Sequence, residues 1–277
     1  MRNKLLNLYV SNARKGTFKA EGNTIFIYDM IVSSELEAEY FGGVSAVEFT
    51  KTLAGMTGPV SLRINSPGGD VFAARAMAAA MKEYSGTITA YVDGFAASAA
   101  SVIAVAANKC VMADGAFMMI HRAWTMTLGN AAEHTATANL LEKIDGSLAA
   151  TYAAKSGKDA ATYATMMAAE TWFDPKEAID AGLADEIAAA PAVKNAASKP
   201  IWDLGVYDKP PHDAVEVTVT VQVEVEDDAE EAAEPDETNE GVNTADPNSQ
   251  DLPPASMAAD ETAIRARKHA VRMLASA

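Results

Sequence analysis

The sequence predicts an α/β fold with a mainly parallel sheet, and three observations lead there. Strand-like and helix-like patterns alternate from about Thr24 to about Ile187. Two strand candidates run directly into Gly-containing turns that open helices, at Asn65–Val71 and at Val92–Ser98. Hydrophobic residues make up 49% of the chain but aromatics only 7%, which suits a core of small, closely packed side chains. Repeated strand–helix alternation is the mark of helices laid on a largely parallel sheet.

Taken in order, Asn23–Val32 is a strand candidate. Ser45–Leu53 is a helix with Ala46, Phe49 and Leu53 on one face, and Ser45 followed by Glu48 has capping-box spacing. Pro59–Asn65 is a strand that enters Ser66-Pro67-Gly68-Gly69-Asp70, and Val71–Tyr84 is a helix with small residues on its packing face. Thr87–Val92 is a strand, Asp93-Gly94 a turn and Ser98–Ala107 a helix. Cys110–Met112 and Phe117–Ile120 are short strands. Asn130–Lys155 is a long helix carrying Leu141, Ile144, Leu148 and Tyr152 on one stripe. A last helix, Pro175–Ala181, ends at Gly182 and leads to a short strand.

After about Ala190 the composition changes. Ala188–Ala197 is Ala-rich, and Val215–Val225 alternates strictly, as a strand or an extended stretch would. Asp227–Asp251 has almost no large apolar residues and is expected to be disordered. Ala258–Ala277 regains a helical pattern with Arg265, Arg267, Lys268 and Arg272. The expected organisation is an N-terminal segment (1–22), a catalytic domain (23–190), an acidic, largely disordered linker (191–257) and a short basic amphipathic helix (258–277).

The formal net charge of -16 is local: 16 of the 38 acidic residues lie between Pro210 and Ile264, where no Lys or Arg occurs. The rest of the chain is balanced, and an acidic tail argues against nucleic acid as a partner. No window approaches the roughly 20 apolar residues of a membrane span, and Leu5–Val10 is too short for a secretory signal. A single cysteine, Cys110, allows no intramolecular disulfide and points to a reducing compartment. His121, His134, His212, His269 and Cys110 show no zinc spacing, so neither metal nor cofactor is expected.

Three short segments carry chemistry. In Gly94-Phe95-Ala96-Ala97-Ser98-Ala99 a strand ends and a serine opens a helix, exposing a hydroxyl where unpaired N–H groups favour negative charge. Such a serine is a nucleophile only with a base beside it, and otherwise an N-cap. The Gly68-Gly69 pair lets backbone N–H groups face a developing oxyanion, or makes an ordinary turn. His121 ends an apolar strand, as a base or as a core histidine. Gly69 lies 29 residues before Ser98 and His121 lies 23 after it, each at a strand end.

Four blocks, INSPGGD (Ile64–Asp70), VDGFAASAASVIAVAA (Val92–Ala107), MMIHRAW (Met118–Trp124) and ETWFDPKEAIDAGLADEI (Glu170–Ile187), resemble the Clp protease proteolytic subunit family. Within it, the chain looks most like the head-maturation (prohead) proteases of tailed phages. The resemblance implies a crotonase-like fold with repeated β-β-α units, and peptide hydrolysis through an acyl-enzyme. Ser98 matches the nucleophile, His121 the base, and the amides of Gly69 and Ala99 the oxyanion hole. The family carries an Asp two residues ahead of a Phe; that position here is Thr171, so Glu170 is the expected third acid, with Asp174 or no acid as alternatives.

The resemblance further implies a homo-oligomeric ring stacked through the long helix and protein substrates, here capsid or scaffold protein. The workplace would be the host cytoplasm or the procapsid interior. The alternatives are a housekeeping Clp-type peptidase served by an ATPase on a separate chain, since no Walker motif is present, and a catalytically weak capsid scaffolding module. Acyl-CoA chemistry on the same fold needs no Ser98–His121 pair. The acidic tether with its basic helix would act as a scaffolding or targeting segment.

Overall fold

The computed structural model describes residues 4–188 and 202–211. The expectations for Ala188–Ala197 beyond residue 188, for Val215–Val225, Asp227–Asp251 and Ala258–Ala277 lie outside the described residues. The chain opens with helix α1 (Lys4–Asn12) and an antiparallel hairpin, β1 (Thr17–Glu21) and β2 (Thr24–Tyr28). Then come β3 (Ile31–Val32), α2 (Glu35–Phe41), β4 (Val44–Ser45), α3 (Ala46–Ala54), β5 (Val60–Ser66), α4 (Val71–Glu83), β6 (Ile88–Ala97) and α5 (Ala99–Ala106). The remainder is β7 (Lys109–Met112), β8 (Phe117–Ile120), α6 (Ala131–Ser156), α7 (Ala160–Ala168), β9 (Thr171–Phe173), α8 (Pro175–Ala181) and β10 (Glu186–Ile187).

The main sheet has the order β1-β2-β5-β6-β7-β10, with β8 on β6 and β9 on β8. Only the β1–β2 and β8–β9 pairs are antiparallel. This is the α/β architecture expected, and Val60–Ser66 reads as a near-continuous buried run because helices cover it, as in other parallel sheets. Asn23–Val32 does not form one strand. The Asp29 carboxylate accepts from the Met30 amide (2.8 Å), ending β2, and β3 pairs instead with β4.

Asp93-Gly94 is not a turn. Strand β6 runs through it, pairing first with β7 (Thr89–Val92) and then with β8 (Phe95–Ala97). The cause lies in β5. Arg63 holds Asp93 in a buried ion pair, with Arg63 Nε donating to Asp93 Oδ2 at 2.7 Å, and Tyr28 donates to the same carboxylate at 2.6 Å. Asn65 Oδ1 then accepts the Phe95 amide at 3.0 Å. A Cβ on Gly94 would lie 2.5 Å from that Asn65 oxygen, so the glycine is what lets the Asn65 side chain bridge the register shift.

The helix starts follow their caps. Ser45 accepts from Glu48 N, Asp70 from Ala73 N, and Asn130 makes a full capping box with Glu133. The stripe expected on α6 faces inward: Ile144, Leu148 and Tyr152 are buried and Leu141 is partly so. The sequence reading does not include helices α1, α2 and α7 or strands β1, β4 and β9.

Two apolar clusters result. The larger packs α3, α4, α5 and the inner part of α6 on the sheet. The smaller joins Leu8 of α1, Ala97 of β6 and Met119 of β8 to Trp202, Leu204, Val206 and Tyr207. Residues 202–211 were expected to be disordered linker, and this corrects that expectation. Four of them are buried, because their apolar side chains pack with Leu8 of α1 over the Ala97 and Met119 end of the sheet. Burying Leu204 and Val206 alone is worth about 1.5–3 kcal/mol each. Asn12, fully buried, fixes the segment by donating to the Asp203 carbonyl (3.0 Å) and accepting from its amide (2.7 Å).

Candidate active site

The parallel pairing of β6 with β8 sets Ala97 against Met119, so the residues just beyond these strand ends emerge side by side. Ser98 follows β6 and donates its amide to the Met119 carbonyl at 2.9 Å. Its backbone has φ 52° and ψ -121°, a conformation non-glycine residues rarely adopt. It also makes no side-chain cap bond to α5. The hydroxyl is therefore turned away from the helix it precedes. His121 follows β8, and its Nε2 lies 2.7 Å from Ser98 Oγ. For the serine to donate to Nε2, the ring proton must sit on Nδ1.

The Gly pair lies across from Ser98. Gly68 has φ 97° and Gly69 φ 140°. A Cβ on Gly69 would come within 1.9 Å of the Ile31 carbonyl, and one on Gly68 within 2.9 Å of Ser98 Cβ, so no side chain fits at either place. The bridge to Ile31 uses the Gly68 carbonyl (2.9 Å) and the Asp70 amide (2.8 Å), leaving the Gly69 amide out of it. Gly69, Ser98, Ala99 and His121 all line one cavity of about 350 Å³. Its far wall is apolar, with Val71, Met126, Leu140 and Leu148 among the lining residues.

A match to the Clp protease family model covers residues 44–191, more than half of the chain. The chain belongs to the Clp protease family. Among solved structures, a ClpP1 variant from Listeria monocytogenes is similar at a TM-score of 0.50 and 22% identity, over 61% of this chain and 92% of that one. That likeness establishes a shared Clp-type fold. Membership makes this a chain of the serine peptidase class, and the conserved geometry of such a class needs a serine, a base and oxyanion donors. Ser98, His121, Gly69 and Ala99 are brought together in this Clp-type cavity.

Glu170 is not brought to His121. Its buried carboxylate accepts from the Asp208 amide (Oε2, 2.9 Å), the Lys209 amide (Oε1, 2.7 Å) and the Trp172 indole (Oε1, 3.3 Å). In this conformation backbone N–H groups of a later segment occupy both oxygens, and the imidazole occupies neither. Asp174, the alternative acid, caps α8 by accepting from Glu177 N at 2.8 Å. Among the described residues, no carboxylate is hydrogen-bonded to His121.

Aromatic rings surround His121 instead. Trp124 lies edge-on at 4.4 Å between centroids and Tyr207 at 5.4 Å. Burial, assisted by the positive charge of Lys4 and opposed by Asp208, lowers the His121 pKa to about 4. The ring is thus held neutral, as a base must be. Tyr207 was missed from the sequence. It donates to the Pro67 carbonyl at 2.6 Å, and its own pKa is pushed well up by burial while the Ser98 hydroxyl works the other way. Its ring and hydroxyl partners, from Trp172 to Pro67, lie 35 to 140 positions away.

Among the described residues no cluster of His, Cys, Asp or Glu is arranged to hold a metal ion, and no helix is long and apolar enough to cross a membrane.

Proposed function

We propose that the chain is a serine endopeptidase in which Ser98 is the nucleophile and His121 the base, working as a phage or prophage head-maturation protease on scaffold and capsid proteins. The observation that carries the chemistry is the 2.7 Å Ser98–His121 contact at a strained serine facing the Gly pair. Ser98 Oγ attacks the peptide carbonyl as His121 Nε2 takes its proton. The carbonyl oxygen, now negative, is received by the Gly69 and Ala99 amides. His121 returns the proton to the leaving amine, and water repeats the sequence on the acyl-enzyme. The third acid is assigned to Glu170, conditional on a rearrangement of its present contacts.

Clp proteases form oligomeric rings around protein substrates, and α6 supports the same here. At about 1.5 Å per residue its 26 residues span about 39 Å, and its first ten residues are mostly exposed. The maturation role is supported by the residues beyond the family match, which hold most of the acidic excess. The organisation carried forward is a protease domain that includes residues 202–211, an acidic linker and a basic helix.

The test of the chemistry is intact-mass spectrometry of the chain and its Ser98→Ala form with a fluorophosphonate. An adduct on the wild type alone is expected; no adduct on either would refute the peptidase assignment. The role is tested by co-sedimentation of capsid protein with the full chain against a chain ending after Pro211. Equal binding by both would refute a docking tail, and a gain in peptidase activity with a Clp-type ATPase would favour the housekeeping role.

A further inference from the structure

Residues 202–211 do more than extend the core. Tyr207 is buried in the cavity that holds Ser98 and His121, with its hydroxyl bonded to Pro67, the residue that leads into the Gly pair. A reacting carbonyl must approach Ser98 to about 3–3.5 Å, and the phenol lines the same cavity within hydrogen-bonding reach of the Ser98 hydroxyl. The same segment occupies Glu170. Asp208 and Lys209, directly after Tyr207, supply the two amides that the carboxylate accepts.

The strand register says where Glu170 would otherwise reach. Strands β8 and β9 are antiparallel, pairing Met118 with Phe173, Met119 with Trp172 and Ile120 with Thr171. The next pair in that register is His121 with Glu170. Directly opposed residues on antiparallel strands have Cβ atoms about 4.5–5.5 Å apart and point to the same face. Glu170 leaves that register by adopting φ 48°, a strained choice for a glutamate, and from there it meets the amides of residues 208 and 209.

We infer that residues 202–211 are an intramolecular strap that keeps the site at rest, seating Tyr207 over Ser98 while diverting Glu170 from His121. Its release would open the approach to the serine and free the carboxylate for the imidazole in one movement. The inference rests on the serine-peptidase assignment and adds to it a control that the chain carries within itself. The strap's own grip is graded. The Asn12–Asp203 pair and the Trp202 indole on the Asn65 carbonyl (3.2 Å) are buried anchors. The Lys4–Asp208 pair is largely exposed and adds little.

The experiment uses the full chain and the rate of fluorophosphonate attachment at Ser98. Lys209→Pro deletes one amide that donates to Glu170 and leaves Ser98 and His121 unaltered. Tyr207→Phe keeps the ring and removes the bond to Pro67. If the released form is the usual minor state of about 0.1–10%, Lys209→Pro should speed labelling about tenfold to a thousandfold, and Tyr207→Phe by less. The acid limb of the labelling profile should also move to higher pH in Lys209→Pro, because a freed carboxylate favours imidazolium. A merely structural segment would leave that limb in place.

Because proline could disturb folding, hydrogen exchange on the wild type gives a second readout. Amides in residues 202–211 should exchange faster once Ser98 carries the adduct. Labelling that is unchanged or slower in both variants, or exchange that is unchanged by the adduct, overturns the strap alone. Absence of labelling in the wild type and both variants overturns the peptidase assignment, and the strap with it.

Discussion

Acidification should destabilise this fold through His121, by an amount that can be isolated. The ring is buried, and its pKa falls from 6.5 to about 4. Above about pH 7 folded and unfolded chains both carry it neutral, so it contributes no pH dependence. As the pH drops through 6.5 the unfolded chain takes up a proton that the folded chain refuses until about 4. A pKa difference of that size corresponds to about 3 kcal/mol, all of it lost between those two values. That is a large part of the about 5–15 kcal/mol that holds a typical domain together. Urea unfolding of the wild type and of His121→Gln, followed from about pH 7 to about pH 4, separates this contribution from the carboxylates the two share. The difference in stability, wild type minus variant, should be flat near neutrality and fall by about 3 kcal/mol toward pH 4. A difference that stays flat would mean that the ring is reachable by water or already paired, and the account of its burial would be wrong.

Gly69→Ala should lower Ser98 labelling by about 10²–10³, the usual loss for one oxyanion donor, because the new methyl would displace the loop from Ile31; labelling at the wild-type rate would contradict the assignment of that amide. Asp93→Ala leaves Arg63 buried without its partner and should cost about 3–5 kcal/mol in urea unfolding, whereas a loss under about 1 kcal/mol would show that the pair is solvated. By light scattering the full chain should run as a multimer, with charges placed at the exposed Leu128 and Leu140 shifting it toward monomer; a wild-type monomer would count against ring assembly through α6.

The parts of the site that were legible in the sequence share one property: each is fixed by its immediate neighbours. Ser98 follows a strand and precedes a helix, and the Gly pair does the same, so backbone geometry known from a few residues carries them. His121 could be found because β8 is a short apolar run. The strand through Asp93-Gly94 was misread because Asp-Gly usually signals a turn, and only Arg63, thirty positions away, shows why the chain continues. The sequence suggests Glu170 as the third acid, whereas its partners here are amides 38 and 39 positions later, which no local pattern reveals. Residues 202–211 carry Gly, two prolines and three charged residues beside Trp202, Leu204, Val206 and Tyr207, and what those four apolar side chains cover is visible only once Leu8, Ala97 and Met119 are placed.

The Asn12–Asp203 pair joins residues 191 positions apart. In the order of synthesis, the ribosome has made the whole sheet, both helices beside Ser98, and His121 before Trp202 exists. Contacts of such separation form last, because they await a template built by everything between them. At about 5–20 residues per second, the interval between His121 and Tyr207 lasts several seconds. On the strap reading, a chain whose sheet has already formed around Ser98 and His121 would spend that interval without Tyr207 beside the serine. The number of chains in that uncovered form would then scale with the rate of translation.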